Sequence, residues 1–420
     1  MNTKIRLIVM NFLEFAVWGA YLTSMGGYLA KVGLAENIGW FYSVQGFVSL
    51  FMPALIGIVA DRFIPAQKML GISHLLAALF MAAAGYMGMT HGDSVAFGQI
   101  FPLYALSVAF FMPTLALTNS VSYSALDRAG LDTVKAFPPI RVFGTIGFIV
   151  SMWLVDLMGF QHGYEQFFVS AVWGVILGAY AFTLPPCSVN KSKQTKSIVD
   201  ALGLRAFTLF KEKKMAIFFI FSMFLGVSLQ ITNGYANTFI SSFADVPQYA
   251  GTFAVEHANI LISLSQVSET LCILLIPFCL KRFGIKNVML IAMLAWVLRF
   301  GFFAVGDPGS GVWLFVLSMI VYGVAFDFFN ISGSLFVDKE TDMNIRSSAQ
   351  GLFMMMTNGF GATVGTLSAQ AVVNNVVYSQ ADAMARMAGW ETVWYIFAGY
   401  ALVVAVLFAI VFRYKHVTEK

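Results

Sequence analysis

Along the chain, apolar positions gather into runs of about twenty residues or more, with short polar turns between them. A bilayer core takes about 20 mostly apolar residues per helix. Cutting at charge clusters and at Gly, Pro and Asn turns gives twelve runs, at roughly 7–30, 38–60, 69–90, 98–125, 138–159, 165–185, 215–243, 256–280, 287–306, 311–337, 346–373 and 389–413. The pattern predicts an all-α membrane protein of twelve transmembrane helices. The first apolar stretch follows two early cations, but it is too long for a signal-peptide core and lacks a small-residue cleavage site, so it reads as the first span.

Polar residues inside these runs carry the candidate chemistry. A charge at the centre of a spanning helix costs at least about 2.5–3.5 kcal/mol, so such residues face a partner or a cavity. In the eighth run, Glu269 sits in QVSETL (266–271) with Gln266 one turn earlier on the same face. The seventh run places Gln230, Asn233 and Asn237 at i, i+3 and i+7, an amide stripe among Phe, Leu and Ile. The fifth opens on Pro138 and Pro139, suited to a helix start, then aligns Arg141, Thr145 and Phe148. The tenth puts Tyr322 and Phe326 one turn apart, Asp327 beside Phe326, and Asn330 three residues on.

Together these stripes supply two carboxylates, a guanidinium, several amides and three rings. That set suits a small polar ligand with a flat apolar part: amides and Arg bond hydroxyls and ring carbonyls, while Phe and Tyr stack on a planar base. A carboxylate in a low-dielectric cavity binds protons more readily through desolvation and less readily near a cation, so movement of Arg141 relative to Glu269 and Asp327 could load or release a proton. The structural alternatives are a fixed ion pair or gate bond for Glu269 and Asp327, a plain counterion for Arg141, interhelical glue for Gln230 and Asn233, and ordinary packing for Phe148 and Phe326. Arg299, near the outer end of the ninth run, reads as snorkelling. Glu14 in the first run has a claim to the cavity but no assignable partner. His74 reads as packed; His91, His162, His257 and His416 fall at loops or ends and read as surface residues.

Composition sharpens the class. Hydrophobic residues make up 59% of the 420 and charged residues only 11%, against about 25% charged in a soluble domain. The net charge of +4 is mild, but its distribution is not. With a cytoplasmic N-terminus, the inner segments collect most Lys and Arg, from Lys4 and Arg6 through Lys191–Lys214 to Lys420, while the outer loops hold Lys31 and Arg386. The positive-inside rule then places both termini and the long central loop in the cytoplasm. That loop reads as a solvated basic linker beside anionic lipid. It divides the chain into an N-terminal six-helix bundle (1–186), a linker (187–214) and a C-terminal six-helix bundle (215–420). Cys187, Cys272 and Cys279 fit neither an even disulfide framework nor a CxxC pair, so no metal and no cofactor is expected.

The two halves repeat. DRFIPAQKML (61–70) matches KRFGIKNVML (281–290) without a gap, at an offset of 220 residues (281 minus 61), which brings Ser43 and Ser263 into register. Parallel six-helix repeats joined by a cytoplasmic loop are the organisation of major facilitator transporters, and GIVADR (57–62) looks like a degenerate form of their GxxxDR loop signature. More specific are the runs FPPIRVFGTIGF (137–148), MAIFFIFSMFLGVSLQITN (215–233), SQVSETL (265–271), FGIKNVML (283–290), LSMIVYGVAFDFFNISGSLFV (317–337), AQGLFMMMTNGFG (349–361) and FRYKHV (412–417). Over essentially its whole length the sequence resembles the bacterial nucleoside:proton symporter family of the major facilitator superfamily. Departures from the family pattern lie mainly in outer loops and at Glu14.

The resemblance implies a symporter in the bacterial inner membrane that imports purine and pyrimidine nucleosides, such as uridine and adenosine, with protons. It also implies that Arg141, Thr145, Phe148, Gln230, Asn233, Gln266, Glu269, Tyr322 and Phe326 bind substrate, and that Glu269, Asp327 and Arg141 couple the proton. A single chain already holds a complete pathway, so a monomer is expected, with the lipid bilayer and no nucleic acid as partner. A proton-antiport exporter would need a roomier, more apolar site, and the amide stripe argues against it. A sensor would favour a long soluble extension, which neither end suggests. An enzyme would need a nucleophile, a phosphate loop or a spaced His/Asp/Cys set, and none is apparent in the sequence.

Overall fold

A computed structural model of the chain describes residues 2–187, 204–342 and 345–414. Among these residues no strand is formed. The helices are α1 (Thr3–Gly19), α2 (Met25–Lys31), α3 (Ile38–Ser49), α4 (Met52–Arg62), α5 (Ala66–His91), α6 (Phe97–Arg128), α7 (Thr133–Leu157), α8 (Glu165–Ala181), α9 (Lys213–Ser242), α10 (Ala258–Ile273), α11 (Ile276–Val305), α12 (Val312–Glu340), α13 (Arg346–Met354), α14 (Ala362–Val373) and α15 (Ala383–Val411). Seven described helices are long and apolar enough to cross a membrane by themselves, and α8 and α10 are shorter apolar helices.

The twelve expected spans are all present, several of them as broken helices. The first span is α1 followed by α2, and the second is α3 followed by α4, with Pro53 near the start of α4. The eleventh runs from α13 through a π-helical stretch, Met355–Gly361, into α14. In the eighth, α10 stops ahead of Pro277, which opens α11, where a missing N–H costs nothing. The sequence cuts end the eighth span at 280 and begin the ninth at 287, yet α11 runs through both apart from Gly284. Gly284 has φ 77°, a left-handed conformation open to glycine at little cost, and it makes the turn that the charge pair Lys281–Arg282 announces.

Contacts divide the chain into two compact units, Met1–Leu202 and Gly203–Lys420. Most of the basic linker lies outside the described residues, as do the side chains of Asp61 and Arg62 in the GIVADR signature and the last residues of FRYKHV. The internal repeat has a local structural echo. Ser43 and Ser263, in register by sequence, each donate to the carbonyl three residues earlier, Trp40 and Ile260, at 3.0 and 2.7 Å.

Without water between them, membrane helices associate through close packing and small residues. In the first unit, α1 and α7 touch at glycine: a Cβ on Gly147 would strike the Phe12 carbonyl, and one on Gly19 the Phe148 carbonyl. Leu7, Met10, Leu70, Val121, Leu126 and Leu177 fill the adjoining core, all fully buried. In the second unit α9 meets the eleventh span the same way, with Gly226 against Thr357 and Gly365 against Val227.

Candidate substrate and proton site

The first unit supplies α7. Its close approach to α1 sets Arg141 over the ring of Phe15, with Cζ 3.9 Å from the centroid, a cation–π contact that helps hold the guanidinium in place. Phe148 is buried and meets Trp18 of α1 edge to face, centroids 6.3 Å apart. Trp18 is itself anchored: its Nε1 donates to Gln45 Oε1 at 3.2 Å, and Gln45 Nε2 donates to the Tyr104 hydroxyl at 2.9 Å. Thr145 is half-buried between the two along α7. Arg141 and Phe148 thus rest on one aromatic pair, Phe15 and Trp18.

The second unit brings Gln266, Glu269, Tyr322, Phe326 and Asp327 together at the α10–α12 contact. Gly323 makes that contact possible, since a Cβ there would stand 2.6 Å from the Ser268 carbonyl carbon. The Ser268 hydroxyl donates to the Ile320 carbonyl and locks the register. As a result Glu269 on α10 and Asp327 on α12 both lie within electrostatic reach of the Tyr322 hydroxyl. The rings of Tyr322 and Phe326 lie nearly parallel, 14° apart in plane and 6.0 Å between centroids. Asp327 is buried, while Glu269, Gln266 and Phe326 are half-buried. Gln266 Oε1 is buried with no hydrogen-bond partner, an acceptor held ready for a donor.

The amide stripe of α9 splits in two. Gln230 and the half-buried Asn233 are neighbours, with Asn233 Nδ2 and Gln230 Oε1 3.5 Å apart, at the outer limit of a hydrogen bond. Asn237 is fully committed elsewhere: it is buried and donates to Asn259 Oδ1 at 3.0 Å, joining α9 to α10.

The nucleoside H+ symporter family profile matches residues 1–417. The chain belongs to the nucleoside H+ symporter family. It is therefore an integral membrane transporter and not an enzyme, and it couples nucleoside import to protons. The nucleoside permease NupG of Escherichia coli (strain K12) is 49% identical over 422 residues, covering 99% of this chain and 97% of the permease. The xanthosine permease of the same organism is 48% identical over 425 residues, covering 100% and 98%. A crystal structure of a point mutant of the nucleoside transporter NupG superposes with a TM-score of 0.91 at 47% identity, covering 98% of this chain and 100% of that one. Twelve helices in the major facilitator arrangement are thus the fold of this symporter.

Three features of the symporter differ from the sequence reading. Arg299 does not snorkel. It is fully buried in α11, where Nη1 donates to the Ser318 carbonyl at 2.6 Å and Cζ lies 4.6 Å over the Tyr322 ring. Ser318 Oγ returns a bond to the Arg299 carbonyl at 2.9 Å, and Trp296 meets Tyr322 at 89°, so Tyr322 is braced from behind by Trp296 and Arg299. The i, i+3 spacing of Trp296 and Arg299 was the available signal. Glu14, without a partner in the sequence, has three, described below. His162 and His257, read as surface residues, are half-buried. Burial, then Lys31, lowers the His162 pKa to about 4.

Proposed function

We propose that this symporter carries purine and pyrimidine nucleosides, uridine and adenosine among them, into the cell across the cytoplasmic membrane by alternating access. The observation that carries the site assignment is the α10–α12 contact, which gathers two carboxylates, a buried free amide acceptor and a stacked ring pair. The Tyr322–Phe326 pair stacks on the base, and Gln266, Glu269, Gln230 and Asn233 bond the ribose and base edges. Arg141, Thr145 and Phe148 are the first unit's contribution to nucleoside binding. Proton coupling is assigned to Glu269 and Asp327, with Arg141 as the cation that opposes protonation when near. The working division is a bundle at 1–186, a linker at 187–214 and a bundle at 215–420. The protein acts as a monomer in the inner membrane with both termini cytoplasmic, as the charge distribution supports.

The ring pair gives the direct test. Base–aromatic stacking is worth about 1–3 kcal/mol, so Phe326→Ala should raise the KM for uridine and adenosine alike by about five- to over a hundred-fold. An unchanged KM for both nucleosides would remove Phe326 from the site.

A further inference from the structure

Glu14 of α1 and His74 of α5 are both fully buried, and the assignments above use neither. Glu14 Oε2 lies 2.7 Å from His74 Nε2 and accepts from Thr118 Oγ1 of α6 at 2.9 Å; Oε1 accepts from Thr114 Oγ1 at 2.6 Å. Two hydroxyls and a ring N–H satisfy the carboxylate, so it can stay charged away from water. With Nε2 engaged, the remaining polar atom of the ring is Nδ1, which is buried and has no hydrogen-bond partner.

His74, but not Glu14, lines a cavity of about 10 Å³ with Ser107, Ser170 and Tyr21. Such a space holds about one water. The Ser107 and Ser170 hydroxyls donate to the Ala77 and Val17 carbonyls at 2.7 and 2.8 Å, so each oxygen keeps lone pairs to accept from a further donor. One side of the imidazole is therefore fixed on an anion, and the ring also borders this small, mostly apolar cavity, whose polar lining is the two serines and Tyr21.

We propose that Glu14 and His74 form a second proton-binding site, within the first unit, that takes up one proton at His74 Nδ1 from the adjoining cavity. The incoming hydronium gives its proton to the Nδ1 lone pair and leaves as water. The pair passes from carboxylate with neutral imidazole, net −1, to carboxylate with imidazolium, net 0. One water in that space would serve both states: a neutral ring would accept from it at Nδ1, and an imidazolium would donate to it. Thr114 has an alternative acceptor in the Phe111 carbonyl at 2.5 Å, so its hydroxyl can turn away once the carboxylate is neutralised by the ring.

Few other charges oppose or duplicate this pair. Tyr21, in the turn between α1 and α2, and Tyr104 of α6 stand edge to face at 5.8 Å beside the cavity. Of the charged residues on α7 and α8, Arg141 is occupied over Phe15, while Lys135, Asp156 and Glu165 sit near helix ends. On α5, Lys68 and His91 likewise lie at its two ends. Glu14 precedes Phe15 and lies one turn before Trp18, the two rings that hold Arg141 and Phe148. A change of charge at the pair thus acts on the helix that supports the first unit's candidate ligand groups.

The test is the protonation state of the ring in the full-length transporter in lipid nanodiscs, with ¹⁵N-labelled histidine followed by NMR as pH is varied. His74→Gln assigns the signals by their loss. The expected result is an imidazole that passes from one to two N–H groups as pH is lowered, and that no longer reaches the two-N–H form over the same pH series in Glu14→Gln. Glu269→Gln should leave this titration in place, which keeps the outcome separate from the fate of the α10–α12 assignments. Uridine exchange at equal pH on both sides should also show a pH profile in the wild type that flattens at least threefold in His74→Gln, a variant that keeps a hydrogen-bonding side chain at the site. A His74 ring that stays in one state throughout, or an identical titration in Glu14→Gln, would overturn the proposal and leave the pair a structural clasp.

Discussion

Glu269 and Arg299 are both charges inside an apolar run, yet they sit differently, and the contrast gives separate predictions. Glu269 is half-buried beside the stacked rings. Glu269→Gln keeps the hydrogen-bonding shape and removes the titrating group, so nucleoside binding should persist while accumulation against a gradient is lost; binding and accumulation both unchanged would take Glu269 out of the mechanism. Arg299 is sealed behind Tyr322. Arg299→Ala opens a cavity and removes the side-chain bond to the Ser318 carbonyl, so thermal unfolding in detergent should register a loss of about 2–5 kcal/mol, with weaker nucleoside binding as Tyr322 loses its brace. The half-buried His162, outside the spans, gives a pH prediction. Its pKa is lowered from 6.5 to about 4 by burial and then Lys31, so its contribution to stability is complete above the unfolded value and is lost as pH falls toward the folded one. His162→Gln should flatten the decline in melting temperature between those two values; an equally steep decline would point to other groups. Spacing put Gln230, Asn233 and Asn237 on one face, but only packing separates them, because helical periodicity does not say which neighbouring helix each position meets. Asn237 meets Asn259, a buried partner no local pattern announces.

Among the elements, glycine decides which helices come close enough to build a site. Gly323 and Ser268 fit α12 to α10, and the candidate carboxylates and rings follow from that contact. Gly323→Val would drive a branched side chain into the Ser268 backbone. Overpacking costs about 1–3 kcal/mol, and the accompanying shift of α10 against α12 should reduce nucleoside binding more than it reduces the melting temperature; a variant with wild-type affinity would show that the register is not needed. The spans themselves were legible because about twenty apolar residues in a row have few other uses. Their internal breaks were not. The π-helical stretch at Met355–Gly361 and the interruption between α1 and α2 fall within long, mostly apolar runs, and hydropathy carries no information about hydrogen-bond register.

At the scale of the whole molecule, charge placement supports a specific topology. Cations concentrated in alternate loops predict that both termini and the central loop face the cytoplasm; single cysteines at positions such as Lys196 and Ser379, in a background without Cys187, Cys272 and Cys279, should label from opposite sides of an intact cell. Labelling of both from one side would contradict the topology. The central claim concerns energy: nucleoside import coupled to protons, which we assign to Glu269 and Asp327, in a chain that matches a symporter family across residues 1–417. It is tested most directly by uptake of labelled uridine and adenosine into proteoliposomes, with and without an imposed inward proton gradient. Uphill uptake that requires the gradient and disappears in Glu269→Gln is the predicted result. Equilibration indifferent to the gradient would contradict the account, and would return Glu269 and Asp327 to binding or structural roles.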